Sequence, residues 1–319
     1  MDFVRSAKKI RPSHRFCIDD MLKICAGNGP EGFEKKWKSW REQALVVEPR
    51  PSLLDAGYDH GEWRVFDVSY TSTDKLKIGG WVLLPKSGRA ERGFIIGHGY
   101  GGRSARGFHY KFENAALFFP CARGLGRSKT SPISYEPRWH VRHDIDKPEE
   151  YVLRGCVEDV WLAVSSMLRL APQLEGRIGY IGESFGGGVG AMALAWEERI
   201  ARAHISLPSF GYQMLRLQLK TLGSASSVQN LFKKEPDLVK RTLQWYDAAY
   251  AARYIKVPVH MACALADPVV TPPGQFAIFN ALAGERQLFT LSAGHMDYPE
   301  QKQQKRDLKQ ELEVFFSDL

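Results

Sequence analysis

Residues 177–198, RIGYIGESFGGGVGAMALAWEE, constrain the fold more tightly than any other stretch of the chain. An apolar, strand-like run (Ile178, Tyr180, Ile181) stops at Gly182, and a helix-like run from Val189 to Trp196 follows. Between them stands G-E-S-F-G, Gly182 to Gly186, which fits the pattern G-x-S-x-G. That pattern puts a serine on a tight strand-to-helix turn with its hydroxyl exposed above the sheet. A side chain at either glycine would hit the neighbouring strand or helix. Gly187, Gly188 and Gly190 continue the same logic into a helix start that packs close on a sheet. Ser184 is thus a candidate nucleophile.

The same glycines admit a rival, since Gly188-Val-Gly190-Ala-Met-Ala193 matches the G-x-G-x-x-G/A dinucleotide fingerprint. That fingerprint opens directly from its strand and is followed about 20 residues later by an acidic residue for the ribose. Here the glycines lie inside the helical run, and Ser206–Tyr212 holds no Asp or Glu. No Lys-Ser/Thr follows either, which excludes a phosphate loop. The expectation is a chain without a cofactor.

A chain of 319 residues suits one large α/β domain over 1–319, with 1–50 as an N-terminal helical extension and 212–254 as a helical insert. No apolar run is long enough for a membrane span, and the first residues lack the apolar core of a signal peptide. Five dispersed cysteines without a C-x-x-C imply reduced thiols and a cytoplasmic protein. The net charge of +8 raises nucleic-acid binding, but the basic residues are scattered. Their densest cluster, 35–41, has Phe33, Trp37, Trp40 and Ala44 at helical spacing, so it reads as an amphipathic helix with a solvated basic face.

After that helix, Trp63–Thr73 and Leu76–Leu84 read as a β-hairpin. Gly93–Gly97 and Ala115–Cys121 are short, wholly apolar strands of the kind covered on both faces. The first runs into His98-Gly99-Tyr100-Gly101-Gly102, a loop able to aim a backbone N–H at a developing oxyanion. Segment 127–150 is polar and proline-bearing; its His140, His143, Asp144 and Asp146 read as charged surface rather than metal ligands. A helix at Tyr151–Leu170 precedes the serine strand, and further strands follow at Ile200–Leu207, Val257–Leu265 and Arg286–Leu291. Helices at 274–283 and 300–316 complete the alternation, which implies a mainly parallel, doubly wound sheet with ligand sites at the strands' carboxyl ends.

Ser184, Asp267 and His295 each fall just past a strand end, in the nucleophile–acid–histidine order of α/β-hydrolases. A serine hydroxyl needs a base to take its proton as it attacks. His295 would serve as that base, with Asp267 holding its tautomer; Asp297 and Asp247 remain alternative acids. The backbone N–H groups of Tyr100 and Phe185 would bind the oxyanion, and Tyr100, Phe185 and Pro208 would close the acyl pocket.

On these residues the chain resembles the acetylxylan esterase / cephalosporin C deacetylase group of α/β-hydrolases. The resemblance runs through Phe33 to Trp37, the Asp67–Pro85 hairpin, His98-Gly99-Tyr100, Arg123-Gly124-Leu125-Gly126 and Tyr151–Gly155. It continues through Gly182–Gly188, Tyr246 to Ile255, Asp267–Asn280 and Gly294-His295. It implies a Ser184–Asp267–His295 triad, hydrolysis of acetyl esters on small sugars, a cytoplasmic location, and homo-oligomers built from dimers into hexamers. Three positions depart from the group's habit: Phe185 stands where Gln is usual, Met296 where Glu is usual, and Ala122 where a polar residue is common. The competing readings are a general short-chain carboxylesterase and a non-catalytic protein of the same fold.

Overall fold

The structure, a computed structural model, describes residues 11–103, 107–110 and 112–319. Its strands are β1 (Ser52–His60), β2 (Trp63–Thr71), β3 (Lys77–Pro85), β4 (Arg92–Gly97), β5 (Ala115–Pro120), β6 (Ile178–Glu183), β7 (Ile200–Ser206), β8 (Val259–Ala264) and β9 (Arg286–Leu291). They form one sheet in the order β1-β2-β3-β5-β4-β6-β7-β8-β9. The first three strands and the β3–β5 pair are antiparallel; every pairing from β5 to β9 is parallel. All six residues of β5 and of β8 are buried, as strands covered on both faces must be.

Alternation along the strands divides the core into two layers. Ile95 faces the larger layer, beneath helices Val152–Leu170, Phe185–Leu194 and Pro272–Ala281. Phe94 and Ile96 face the smaller one, closed by Leu312, Phe315 and Phe316 of the C-terminal helix Gln301–Phe315 and its end. The β4-to-β5 connection is a parallel crossover, which usually carries a helix. Here its described residues form only turns and loop. No helix among the described residues is long and apolar enough to cross a membrane.

Residues 1–10 of the expected N-terminal extension lie outside the described residues. The remainder is less helical than expected: helices cover only Ile18–Met21 and Phe33–Leu45. In the second, Phe33, Trp37, Trp40 and Ala44 are buried while Lys35 and Lys38 are exposed. Trp37 packs edge-on against Trp161 and Tyr246, and its Nε1–H donates to Trp245 O at 2.9 Å. Strand β1 was not anticipated. It is an edge strand with no buried face: Leu54 is largely exposed, and the pairing slips between Asp55 and Asp59 around Gly57. Charges and a bulge of this kind protect an open edge, and they also erase the alternation by which a strand is recognised. Residues 213–252 hold four short helices.

Segment 127–150 lies mostly at the surface, as its polarity suggested, but a few of its residues turn inward. His140, Val141 and Ile145 are buried in it, while Tyr135 and Trp139 stand exposed. The Arg123-Gly124-Leu125-Gly126 motif anchors its start. Arg123 is buried, and its Nη2 lies 2.9 Å from Asp159 Oδ1, its Nη1 2.9 Å from Asp74 Oδ2, and its backbone N–H 2.9 Å from Asp159 Oδ2. Ser72 donates to the same Asp159 at 2.6 Å, so one carboxylate ties the hairpin turn to the long helix. Asp159→Ala would leave a buried guanidinium with the exposed Asp74 and, at 3.9 Å, Glu158 as its remaining ionic partners. The expected loss is about 3–5 kcal/mol of unfolding free energy, read by chemical denaturation. A loss under about 1 kcal/mol would mean that the pair is replaceable.

Candidate active site

The turn after β6 is strained. Ser184 has φ 54° and ψ −110°, outside the basins an L-residue prefers, at a typical cost of about 1–3 kcal/mol. Its neighbours over-determine it. Ser184 N–H donates to Ser206 O on β7 at 2.8 Å; Ser184 O accepts from Gly188 N–H at 3.0 Å and Ser209 N–H at 2.9 Å. Gly186 N–H donates to His98 O at 2.9 Å. A Cβ on Gly186 would lie 2.8 Å from Gly97 C and His98 O, and one on Gly182 would lie 2.5 Å from Gly186 O. Backbone cannot yield as a flexible side chain can, so both motif positions require glycine.

Asp267 follows β8 and His295 follows β9, which brings both to the same carboxyl edge as Ser184. His295 Nδ1 lies 2.7 Å from Asp267 Oδ2, and its Nε2 lies 3.0 Å from Ser184 Oγ. A carboxylate only accepts, so Nδ1 carries the proton and bare Nε2 faces the serine O–H. Asp267 is fully buried; its Oδ1 accepts from Val269 N–H at 2.8 Å and Val270 N–H at 2.9 Å, and Gln275 Nε2 reaches Oδ2 at 3.3 Å. Its own N–H donates to Pro12 O at 3.0 Å. Of the two alternative acids, Asp247 caps the helix Ala248–Ala252 and also binds Tyr212 and Gln213 N–H. Burial pushes the Asp247 carboxyl up to about 6. Asp297 is exposed on the histidine loop. Burial pulls the His295 imidazolium down, but the hydrogen bond and charge of Asp267, aided by Glu183, hold its pKa above the ordinary histidine value of 6.5.

The N–H groups of Tyr100 and Phe185 meet no partner among the described residues. Phe185 opens its helix, where the first N–H groups have no intrahelical acceptor. The loop bearing Tyr100 is braced by a residue the sequence left without a role. His98 Nδ1–H donates to Gly99 O at 2.7 Å, and its Nε2 accepts from Ala122 N–H at 3.0 Å. Burial lowers the His98 pKa to about 4, so the ring stays neutral and keeps both bonds. At position 122 the backbone does this work, which explains why alanine suffices there. His140 holds the Tyr100 ring in the same way: Nε2–H donates to Arg123 O at 2.9 Å and Nδ1 lies 3.3 Å from the Tyr100 hydroxyl.

Two expected pocket residues are placed elsewhere. The Phe185 ring is 1% exposed, packed among Tyr100 (centroids 4.3 Å apart), His98, His140 and Phe210. It backs Tyr100 instead of forming an open wall, because a helix that starts against β4 turns its first side chain into the core. Pro208 is buried beside Gly187. Tyr100 alone of the three keeps partial exposure. A cleft of about 1230 Å³ opens beside His295, lined by Glu183, His295, Met296, Asp297, Tyr110 and residues of the C-terminal helix.

A family model described as acetyl xylan esterase (AXE1) matches residues 23–312. The chain belongs to that family. It is a carboxylic ester hydrolase acting on acetylated carbohydrates. Among solved structures it is similar to acetyl xylan esterase 1 from Thermoanaerobacterium sp. JW/SL YS485, with 18% identity and a TM-score of 0.77 over 93% of this chain and 99% of that one. The acetyl xylan esterase from Paenibacillus sp. R4 gives 20% identity and 0.76 over the same shares. The acylaminoacyl peptidase of Pyrococcus horikoshii gives 17% identity and 0.59, over 80% of this chain and 41% of that one. At these identities the likeness is one of fold, an α/β-hydrolase sheet with flanking helices.

The raised His295 pKa sets a pH dependence. A base must be neutral to accept the serine proton, so kcat/KM is expected to fall with acid through an apparent pKa above 6.5. Asp267→Asn removes the hydrogen bond to a charge, so that limb should move to lower pH while turnover drops by about four orders of magnitude. A larger loss in Asp297→Asn, from pH–rate profiles of both variants, would reassign the acid.

Proposed function

We propose that the chain hydrolyses short-chain acyl esters, acetyl foremost, of small carbohydrates through an acyl–Ser184 intermediate. The observation that carries this reading is the continuous Asp267–His295–Ser184 hydrogen-bond chain at the carboxyl edge of the sheet. Ser184 Oγ attacks the ester carbon as His295 Nε2 takes its proton. The carbonyl oxygen becomes an oxyanion between the N–H groups of Tyr100 and Phe185, each donor worth about 2.7–4 kcal/mol at such a site. The intermediate collapses, the alkoxide leaves with the proton from His295, and acyl–Ser184 remains. Water then attacks, His295 takes its proton, and collapse releases the acid and returns the proton to Ser184. Asp267 stabilises the transient imidazolium in both halves.

Ester panels on wild type and Ser184→Ala test the reading. Acetate and propionate esters are expected to outrun octanoate if the half-buried Tyr100, which bears a candidate oxyanion N–H, closes the acyl pocket. Discrimination of about 1–3 kcal/mol per methylene is within reach of such a site. Equal rates in Ser184→Ala would remove the serine mechanism, and a rate rising steadily with chain length would remove the short-acyl preference.

We further infer a dimer-based homo-oligomer in a reducing, cytoplasmic setting. Tyr135 and Trp139, exposed on segment 127–150 near Tyr100, support the first part, and five free thiols support the second. Sedimentation velocity at micromolar protein is expected to give a species well above 36.1 kDa; a monomer would end the assembly reading.

A further inference from the structure

The cleft beside His295 lies next to the β4-to-β5 crossover, whose described residues form no helix. Glu183 on β6 pairs with Ser206 on β7, and Ile181 with His204, so Glu183, His204 and Ser206 share the sheet face that a crossover helix would cover. Leu308 and Leu312 of the C-terminal helix close one flank and Tyr110 and Phe112 another. The remaining volume, about 1230 Å³, exceeds the roughly 300–1,000 Å³ usual for small-ligand sites.

His295 decides which half of an ester belongs there. The leaving oxygen takes its proton from Nε2, so the alcohol must depart beside this ring. The cleft is lined by His295 and by Met296 to Tyr298 that follow it, whereas Tyr100 and Phe185, the candidate oxyanion donors, lie outside its lining.

Its floor contains an oriented hydrogen-bond chain. His260 Nε2 lies 3.2 Å from Glu311 Oε2; the carboxylate only accepts, so His260 carries its proton on Nε2 and presents a bare Nδ1. His204 Nδ1 lies 3.1 Å from that nitrogen and 3.2 Å from His260 O, both acceptors. His204 is therefore protonated on Nδ1, and its Nε2 is a bare acceptor with no partner among the described residues. His204 is 2% exposed and lines the cleft. Burial, then the neighbouring His260, holds its pKa down at about 3, so it remains neutral. Its Nε2 opens onto the cleft, and an acceptor of fixed direction there can pair with a donor from whatever occupies the space.

We propose that this cleft is the leaving-group subsite, and that His204 Nε2 accepts a hydrogen bond from a hydroxyl of the departing alcohol, a carbohydrate of more than one ring. The assignment rests on the esterase reading above. The apolar faces of the sugar rings lie on Tyr110, Phe112 and Leu308; the hydroxyls meet His204 and the polar rim at Asp297, Gln301 and Lys305. Glu311 and His260 are positioning residues that fix which His204 nitrogen is bare. Sites built to bind a hydroxyl discriminate strongly, because a ligand lacking it leaves a buried group unpaired.

The test compares kcat/KM for acetylated xylotriose with that for methyl acetate. In His204→Phe, and in Leu308→Trp, which narrows the cleft, the ratio is expected to fall tenfold or more, mostly through KM. Long-range proton–nitrogen NMR of the wild type is expected to show His204 protonated at Nδ1 and His260 at Nε2, with Glu311→Ala disturbing that pattern. An unchanged ratio in folded His204→Phe, or His204 protonated at Nε2, overturns the role of His204. If His204→Phe does not fold, Leu308→Trp and the wild-type spectrum decide. Should Leu308→Trp slow methyl esters of long acids instead of acetylated sugars, the cleft holds the acyl group and the proposal is wrong. Wild type unable to hydrolyse methyl acetate through Ser184 would fail the esterase reading and take the subsite with it.

Discussion

The rest of the site depends on one close approach, the passage of the Ser184 turn between the β4 loop and the β7 loop. Backbone meets backbone there, with Gly186 against Gly97 and His98, and Ser184 hydrogen-bonded to Ser206 and Ser209. A serine at φ 54° persists only because neighbours on both sides fix it. The same approach places the Phe185 N–H near the Tyr100 loop and turns the Phe185 ring inward as the support for Tyr100. Strain at the nucleophile and burial around it are therefore two aspects of one packing arrangement.

Histidine serves opposite ends in this molecule according to its surroundings. His98 and His140 are buried without a charged partner, stay neutral, and act as fixed links between loops. His295 is also largely enclosed, yet a carboxylate at hydrogen-bond distance reverses the balance and leaves it ready to accept and return a proton. Through His140 the stabilising Arg123–Asp159 pair reaches the Tyr100 ring. A framework interaction and an active-site loop thus share one chain of contacts.

Much of this was readable from residue order. The parallel strands announced themselves as short apolar runs because both faces are covered, and the glycines of the serine turn because backbone lies against them. The meeting of Asp267 with His295 follows from strand order in a parallel sheet. What escaped had no local signature. Strand β1 buries neither face, and segment 127–150, polar and largely at the surface, still sends His140, Val141 and Ile145 into the interior. Phe185 was expected to line the pocket because its position beside the nucleophile is visible in sequence, while the direction of its ring is set by Tyr100, His98 and Phe210, far away in the chain. The His204–His260–Glu311 chain joins three separate elements, and no spacing within any one of them hints at it.

The hydrogen bond from Asp267 N–H to Pro12 O, with the contacts of Asp267 to His295 and of His295 to Ser184, spans nearly the whole chain. Contacts so distant in sequence carry the greatest loop-closure entropy and need the intervening sheet as a template. Helices and the β2–β3 hairpin form from neighbours; this constellation cannot. A nascent or partly folded chain then exposes a serine with no base beside it, and the molecule is chemically silent until β6, β8 and β9 have come together.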